Sequence, residues 1–269
     1  MWDAELDEKV VEVESEESVF SVDVAPDCTK FATVTGPGKG KVTIWSITTK
    51  ERLLGPLELG GGVRVRFSPD SGRLATACIG DSTIRIFDTH NGDQLISIEN
   101  PIPGNSFLPI AWSTHGQRLF AVSEDNKIRL FDSSTGSPLA EWQIHENSTS
   151  PMSIALSANG KFIASSAGRF ISFWDTLTHT QLGIVEETHK IQSITLSPDG
   201  CRLAAGFTDS ETSIIYDLRS ILPGSYLPGN VSAPFLKSTT TFIHECLLLY
   251  TCKSLVPDCK CRIIIPYPE

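Results

Sequence analysis

Apolar residues recur at alternate positions in short bursts along the chain: Val22 and Val24, Val65 and Phe67, Ile110 and Trp112, Ile154 and Leu156, Ile194 and Leu196. A period of two predicts a β-strand with one apolar face. Each burst runs into a turn, APDC from Ala25, SPDS from Ser68, STHG from Ser113, SANG from Ser157 or SPDG from Ser197. A second strand follows as KFATV, RLATA, RLFAV, KFIAS or RLAAG, opening at Lys30, Arg73, Arg118, Lys161 and Arg202. Another turn leads to a third strand that ends on an aromatic, KVTIW, STIRIF, NKIRLF, FISFW or TSIIY. Polar turns such as THNGD and SSTGS hand over to a weaker fourth strand around Leu53, Leu95, Leu139 or Leu182. No helical pattern of about 10 to 15 residues separates the strands, which excludes a doubly wound fold.

The third strands close on Trp45-Ser46, Phe87-Asp88, Phe131-Asp132, Trp174-Asp175 and Tyr216-Asp217, at intervals of 42, 44, 43 and 42 residues. The turn after the first strand keeps the same cadence. Four antiparallel strands in about 43 residues, repeated, is the arithmetic of a propeller blade. The expected fold is all-β, a β-propeller of four-stranded antiparallel blades with five clear repeats in residues 1–217. Past Asp217 the signature stops. SILPGSYLPGNVSAP (220–234) is turn-rich, while TTTFIHECLLLY (239–250) and CRIIIPY (261–267) have strand composition without the repeat. Trp2-Asp3 lies 43 residues before Trp45 and reads as the end of a third strand, with Val10 to Val13 as a fourth. Residues 218–269 are thus either a tail or a degenerate last blade, and this phase favours a composite sixth blade closed by the N-terminal strand.

At these residues the chain resembles the WD-repeat family, and the resemblance implies a propeller used as an interaction platform. It also implies a hydrogen-bonded tetrad within a blade: a His before the first strand, a Ser or Thr in the second, an Asp in the turn, and the Trp of the third. The chain keeps this set in pieces. Asp81 and Asp125 stand at the turn position, but Phe87 and Phe131 replace the Trp and have no ring N–H to donate. Trp45 and Trp174 keep the indole, with Lys39 and Gly168 at the turn; His189 matches the family His, with Tyr216 for its Trp. Blade stability is therefore expected to rest mainly on packing. The repeat wording is also similar to propeller regions of fungal NACHT-containing WD-repeat proteins, in which such a stretch is part of a larger sensor.

Composition narrows the partners. The 269-residue chain carries 22 Lys and Arg against 32 Asp and Glu, a formal charge of −10. Nucleic acid is not an expected partner, because a phosphate footprint needs clustered cations. Acidic residues crowd the first 17 positions, which reads as a solvated leader. No apolar run approaches the roughly 18 residues of a membrane span, so no membrane contact is expected and a cytoplasmic setting is, with the nucleus left open. Seven cysteines without framework spacing suit a reducing compartment.

Candidate chemistry is sparse. Cys246, Cys252, Cys259 and Cys261, with His244 nearby, lack the paired spacing of zinc knuckles. GPGKGK (36–41) misses both the Walker A and GxGxxG patterns. No GxSxG or HExxH occurs, so neither catalytic residues nor a cofactor or metal are expected. One departure stands out on the first strand. Arg64 and Arg66 take positions that hold Ser21, Pro109, Ala111, Ser153, Ala155 and Ser193 elsewhere, with Asp23 equivalent to Arg66 one blade earlier. First strands line a propeller's channel, so Arg64, Arg66 and Asp23 are the candidate binding residues. They form either an interblade ion pair or an anion or partner site, since an unpaired buried charge is costly. The expected function is a non-enzymatic scaffold that binds other proteins through loops at one end of the propeller and its channel mouth. The rivals are a propeller hydrolase with converging carboxylates or His at the channel mouth, and a truncated fragment of the larger sensor.

Overall fold

The computed structural model describes residues 2–3, 8–9, 18–35, 40–59, 62–78, 82–99, 107–123, 125–144, 151–208 and 213–228. A short hairpin of β1 (Trp2–Asp3) and β2 (Glu8–Lys9) comes first. Blade one comprises β3 (Val19–Val24), β4 (Lys30–Thr35), β5 (Lys41–Ser46) and β6 (Arg52–Glu58). Blade two comprises β7 (Gly62–Phe67), β8 (Arg73–Cys78), β9 (Thr83–Asp88) and β10 (Gln94–Glu99). Blade three holds β11 (Phe107–Trp112), β12 (Arg118–Ser123), β13 (Lys127–Asp132) and β14 (Pro138–Gln143). Blade four holds β15 (Pro151–Leu156), β16 (Phe162–Ala167), β17 (Phe170–Asp175) and β18 (Gln181–Glu186). Blade five has β19 (Ile191–Leu196), β20 (Arg202–Phe207) and β21 (Ser213–Asp217).

Strands pair antiparallel in chain order within every blade, and the first strands β3, β7, β11, β15 and β19 pack in succession, which makes them innermost. The architecture is the expected all-β propeller. The core lies between blades: one cluster joins Val34 and Ile44 of blade one to Val65 and Leu74 of blade two, and equivalent clusters fill the next three interfaces. Second strands are buried on both faces, and there small residues such as Ala75, Thr76 and Ala77 or Ala164, Ser165 and Ser166 let neighbouring sheets approach. Fourth strands alternate exposed and half-buried positions, as an outer edge should.

The turn between first and second strands explains its recurring wording. Ser68 Oγ accepts the Arg73 N–H at 2.9 Å and donates to Asp70 Oδ1 at 2.5 Å, a clasp that Ser157 with Asn159 and Ser197 with Asp199 repeat. The next position is left-handed in all five units, with φ of 55° at Cys28, 59° at Ser71, 67° at Gly116, 70° at Gly160 and 66° at Gly200. Only glycine takes that conformation without steric cost, which accounts for the final Gly of three of the motifs.

Register supports the phase read from the N-terminus. Trp2 sits opposite Lys9, seven residues on, as Trp45 faces Arg52, Phe87 faces Gln94, Phe131 faces Pro138 and Trp174 faces Gln181. Val10 to Val13 and residues 229–269, on which the expected composite sixth blade depends, lie outside the described residues. Among the described residues β21 has no fourth strand beside it. Instead, two 3-10 turns, Leu218–Ser220 and Gly224–Tyr226, carry the chain back over blade four. Leu218, Leu222 and Leu227 bury against Phe162 and Phe173, and the Tyr226 hydroxyl donates to Asp175 Oδ2 at 2.6 Å. This strap packs with the propeller beyond Asp217, where the repeat signature stops.

Candidate binding site at the propeller channel

β7 presents Arg64 and Arg66 two residues apart on one side of an innermost strand, and the structure gives them different surroundings. Arg66 Nη1 lies 3.7 Å from Asp23 Oδ1 on β3 and donates to the Val65 carbonyl at 2.9 Å. Asp23 Oδ2 also accepts the Phe67 N–H at 2.7 Å, and the Arg66 carbonyl accepts Trp112 Nε1–H from blade three at 2.9 Å. Arg66 and Asp23 therefore stitch adjacent blades. Their side chains are 39% and 24% exposed, so the ion pair itself contributes little.

Arg64 makes no hydrogen bond or ion pair with a described residue. Burial first, and then the neighbouring Arg66 charge, push its pKa down to about 10, which still leaves a cation at neutral pH. A desolvated guanidinium with open donors favours a planar oxyanion, carboxylate or phosphate.

Within the blades, the polar links differ from unit to unit. Trp45 Nε1–H donates to Thr33 Oγ1 and Trp174 Nε1–H to Ser165 Oγ, each at 3.0 Å. In blade three Arg129, almost fully buried, donates to both oxygens of Asp125 at 3.0 and 2.5 Å and to Ser123 Oγ. In blade two the equivalent Arg85 donates to Cys78 Sγ at 3.4 Å; Asp81 and Lys39 lie outside the described residues. In blade five the Tyr216 hydroxyl donates to Glu187, while exposed His189 rests edge-on against Phe207 with centroids 6.0 Å apart. The four-residue spacing of Asp125 and Arg129 is the sequence signal for the lock in blade three.

Every described carboxylate whose pKa is shifted lies below its ordinary range. Hydrogen bonds from Ser68, from the His90 N–H and from Ser134 hold down Asp70, Asp88 and Asp132. Burial pushes Asp125 up, but the hydrogen bonds from Arg129 and Ser123 outweigh it. Among the described residues no three His, Cys, Asp or Glu side chains gather as metal ligands. His244 and the four tail cysteines fall outside those residues, as does 36–39 of GPGKGK; Cys28 and Cys201 are free thiols. No helix among the described residues is long and apolar enough to cross a membrane.

Comparison with known families decides what the repeats are. The WD domain, G-beta repeat, matches residues 59–88, 110–132 and 136–175, which fall on blades two, three and four. Those three blades carry WD repeats. The chain is similar to the coronin-like protein crn1 of Schizosaccharomyces pombe, 22% identical over 196 residues, covering 67% of this chain and 31% of that protein. It is also similar to eukaryotic translation initiation factor 3 subunit I of Scheffersomyces stipitis, 24% identical over 219 residues, covering 74% and 62%. A third relative is the serine-threonine kinase receptor-associated protein of Dictyostelium discoideum, 22% identical over 185 residues, covering 54% and 61%. The chain thus spans between about a third and three fifths of the length of these WD-repeat relatives. Two of them are named as a subunit of a translation initiation factor and as receptor-associated.

Proposed function

We propose that this WD-repeat propeller is a non-enzymatic, cytoplasmic platform that binds acidic segments of other proteins at the Arg64 end of its channel, with Arg66 and Asp23 framing the site. The observation that carries the reading is Arg64, a desolvated guanidinium on an innermost strand whose donors no described residue takes up. The cost of holding it there is offset only when an anion pairs with it. The carboxylates with shifted pKa, all lowered, favour binding over general acid catalysis, which needs a carboxyl held protonated near neutral pH.

The test compares proteins captured by the full chain, by Arg64→Met and by Arg64→Ala/Arg66→Ala, with thermal unfolding of each. The expected result is loss of a defined set of partners in both variants, with the stability of Arg64→Met equal to or above that of the parent. An unchanged partner set together with lower stability assigns the pair a purely structural role and overturns the reading.

A further inference from the structure

Where the second strand begins, a cation stands opposite the residue that closes the third strand in four blades, Lys30, Arg73, Arg118 and Arg202, with Phe162 at that position in blade four. Two of these cations latch onto the next blade. Lys30 Nζ donates to Thr89 Oγ1 of blade two at 2.9 Å. Arg73 donates to the Gly116 carbonyl at 2.6 Å and to Ser133 Oγ at 3.1 Å, with its guanidinium 4.8 Å above the Trp112 ring of blade three. In blade four Lys161, one residue before that position, donates from Nζ to the Ser225 carbonyl of the strap at 2.7 Å.

Arg118, at the seam between blades three and four, breaks the series. Its backbone N–H donates to Ser113 Oγ at 3.0 Å, but its exposed guanidinium meets no described partner. The acceptor side of the latch is intact. Thr176 donates to the Gly160 carbonyl at 2.6 Å, as Ser133 does to Gly116 at 2.6 Å and Thr89 to Ser71 at 2.8 Å. What has changed is one side chain: Leu156 stands where Phe67 and Trp112 stand in the two preceding blades. Leucine offers no ring face for a guanidinium to lie on, and it fills less space. The seam therefore holds a cavity of about 110 Å³ between Arg118, Phe120, Leu156, Gly160, Thr176 and Leu177. Leu177, 80% exposed at its rim, occupies the turn position that is Thr48, His90 and Ser134 in the first three blades.

We propose that this seam is a docking groove for an extended segment of a partner protein in which a carboxylate neighbours an aliphatic side chain. The occupant follows from complementarity: the open Arg118 guanidinium lies beside a pocket of side-chain size that Phe120, Leu156 and Leu177 make largely apolar. An aliphatic group replaces the missing ring between Phe120 and Leu156, and the carboxylate takes the guanidinium that the latch leaves open. The inference rests on the platform reading for its occupant but uses a different face of the fold from Arg64.

N-acetyl-leucine, an isobutyl group beside a carboxylate, is the probe, titrated by NMR into the labelled full chain alongside N-acetyl-leucine amide. The acid is expected to shift the amide signals of Gly160, Thr176 and Leu177 and to bind about tenfold more tightly than the amide. Arg118→Met should erase that preference without moving the thermal midpoint, and Leu156→Trp should abolish binding by supplying the absent ring. Equal affinity for acid and amide, a preference retained by Arg118→Met, or no shifts at those residues would each overturn the proposal. Arg118→Met carries the test alone should Leu156→Trp not fold. Because the probe needs no partner, failure here leaves the Arg64 reading standing, and failed partner capture leaves the groove standing.

Discussion

Blades three and four are neighbours built from the same repeat, yet they lock their second and third strands together by different chemistry. Blade four uses a neutral pair, the buried Trp174 indole donating to Ser165. Blade three has Phe131 for the Trp and Ala121 for the Ser, so no such bond can form. There Arg129 stands where blade four has Ser172, and it runs back to Asp125 and Ser123 at the end of the hairpin. Glu141 on the fourth strand adds a carboxylate 3.3 Å from Arg129 Nε, out of line for a hydrogen bond, while accepting one from Lys127 at 2.5 Å. The aromatic ring is buried to a similar degree in both blades, 3% exposed for Phe131 and 6% for Trp174. Packing therefore sets the blade geometry, and the polar lock can be exchanged provided a buried charge still finds its counter-charge.

That comparison breaks most sharply at Arg129. Arg129→Met removes one side of a largely buried network and leaves Asp125, 17% exposed, without its cation. The expected loss is about 3 kcal/mol, measured by urea unfolding. Adding Asp125→Ala should recover much of it, since an ion pair removed whole costs far less than one cut in half. A loss from the single substitution below about 1 kcal/mol would mean that the network is idle and packing holds blade three alone.

Blade four offers the smaller effect. Trp174→Phe imitates blade three's aromatic without importing its arginine, so it removes one neutral hydrogen bond and some ring volume. About 1 to 2 kcal/mol should be lost. Trp45→Phe, at a half-buried indole, should cost less. Equal losses at the two sites would show that burial does not grade the neutral lock.

How far the sequence discloses such details depends on the range of the interaction. Strands, period and blade boundaries are local patterns, and the alternation at Val65 and Phe67 or Ile154 and Leu156 appears in the structure in register. The pairing of Arg66 with Asp23 was one of two readings open in the sequence, because equivalent positions in adjacent blades are necessarily close. The surroundings of Arg64 are not legible there, since they depend on which described residues of other strands and turns come near it. The strap was hidden for another reason. Leu218, Leu222 and Leu227 follow no repeat, and only the fold brings them onto Phe162 and Phe173. The unlatched Arg118 lay in between: the substitution of Leu156 for an aromatic is legible, but its consequence needs the next blade in place.

The faintest difference between the two locks is expected in acid. Asp125 has its folded pKa lowered, burial opposing and the Arg129 and Ser123 hydrogen bonds prevailing, against about 3.9 in an unfolded chain. The folded state therefore binds that proton less readily than the unfolded state does. Its contribution is full above about pH 5 and is lost as the pH falls through the lowered folded value. The Trp174–Ser165 pair has no titrating group, and Asp175, lowered against burial by hydrogen bonds from Tyr226 and nearby backbone N–H groups, acts on the turn and strap instead. Hydrogen-exchange protection factors measured between pH 5 and 3 should thus fall earlier at Ile128 to Leu130 in β13 than at Ile171 to Phe173 in β17. Asp125→Asn should start lower and remove the difference in slope, because what remains at the hairpin end no longer changes charge. Parallel declines in the two strands of the parent would locate the acid sensitivity in the equivalent turn aspartates Asp132 and Asp175 that the two blades share, and would leave the arginine lock no part in it.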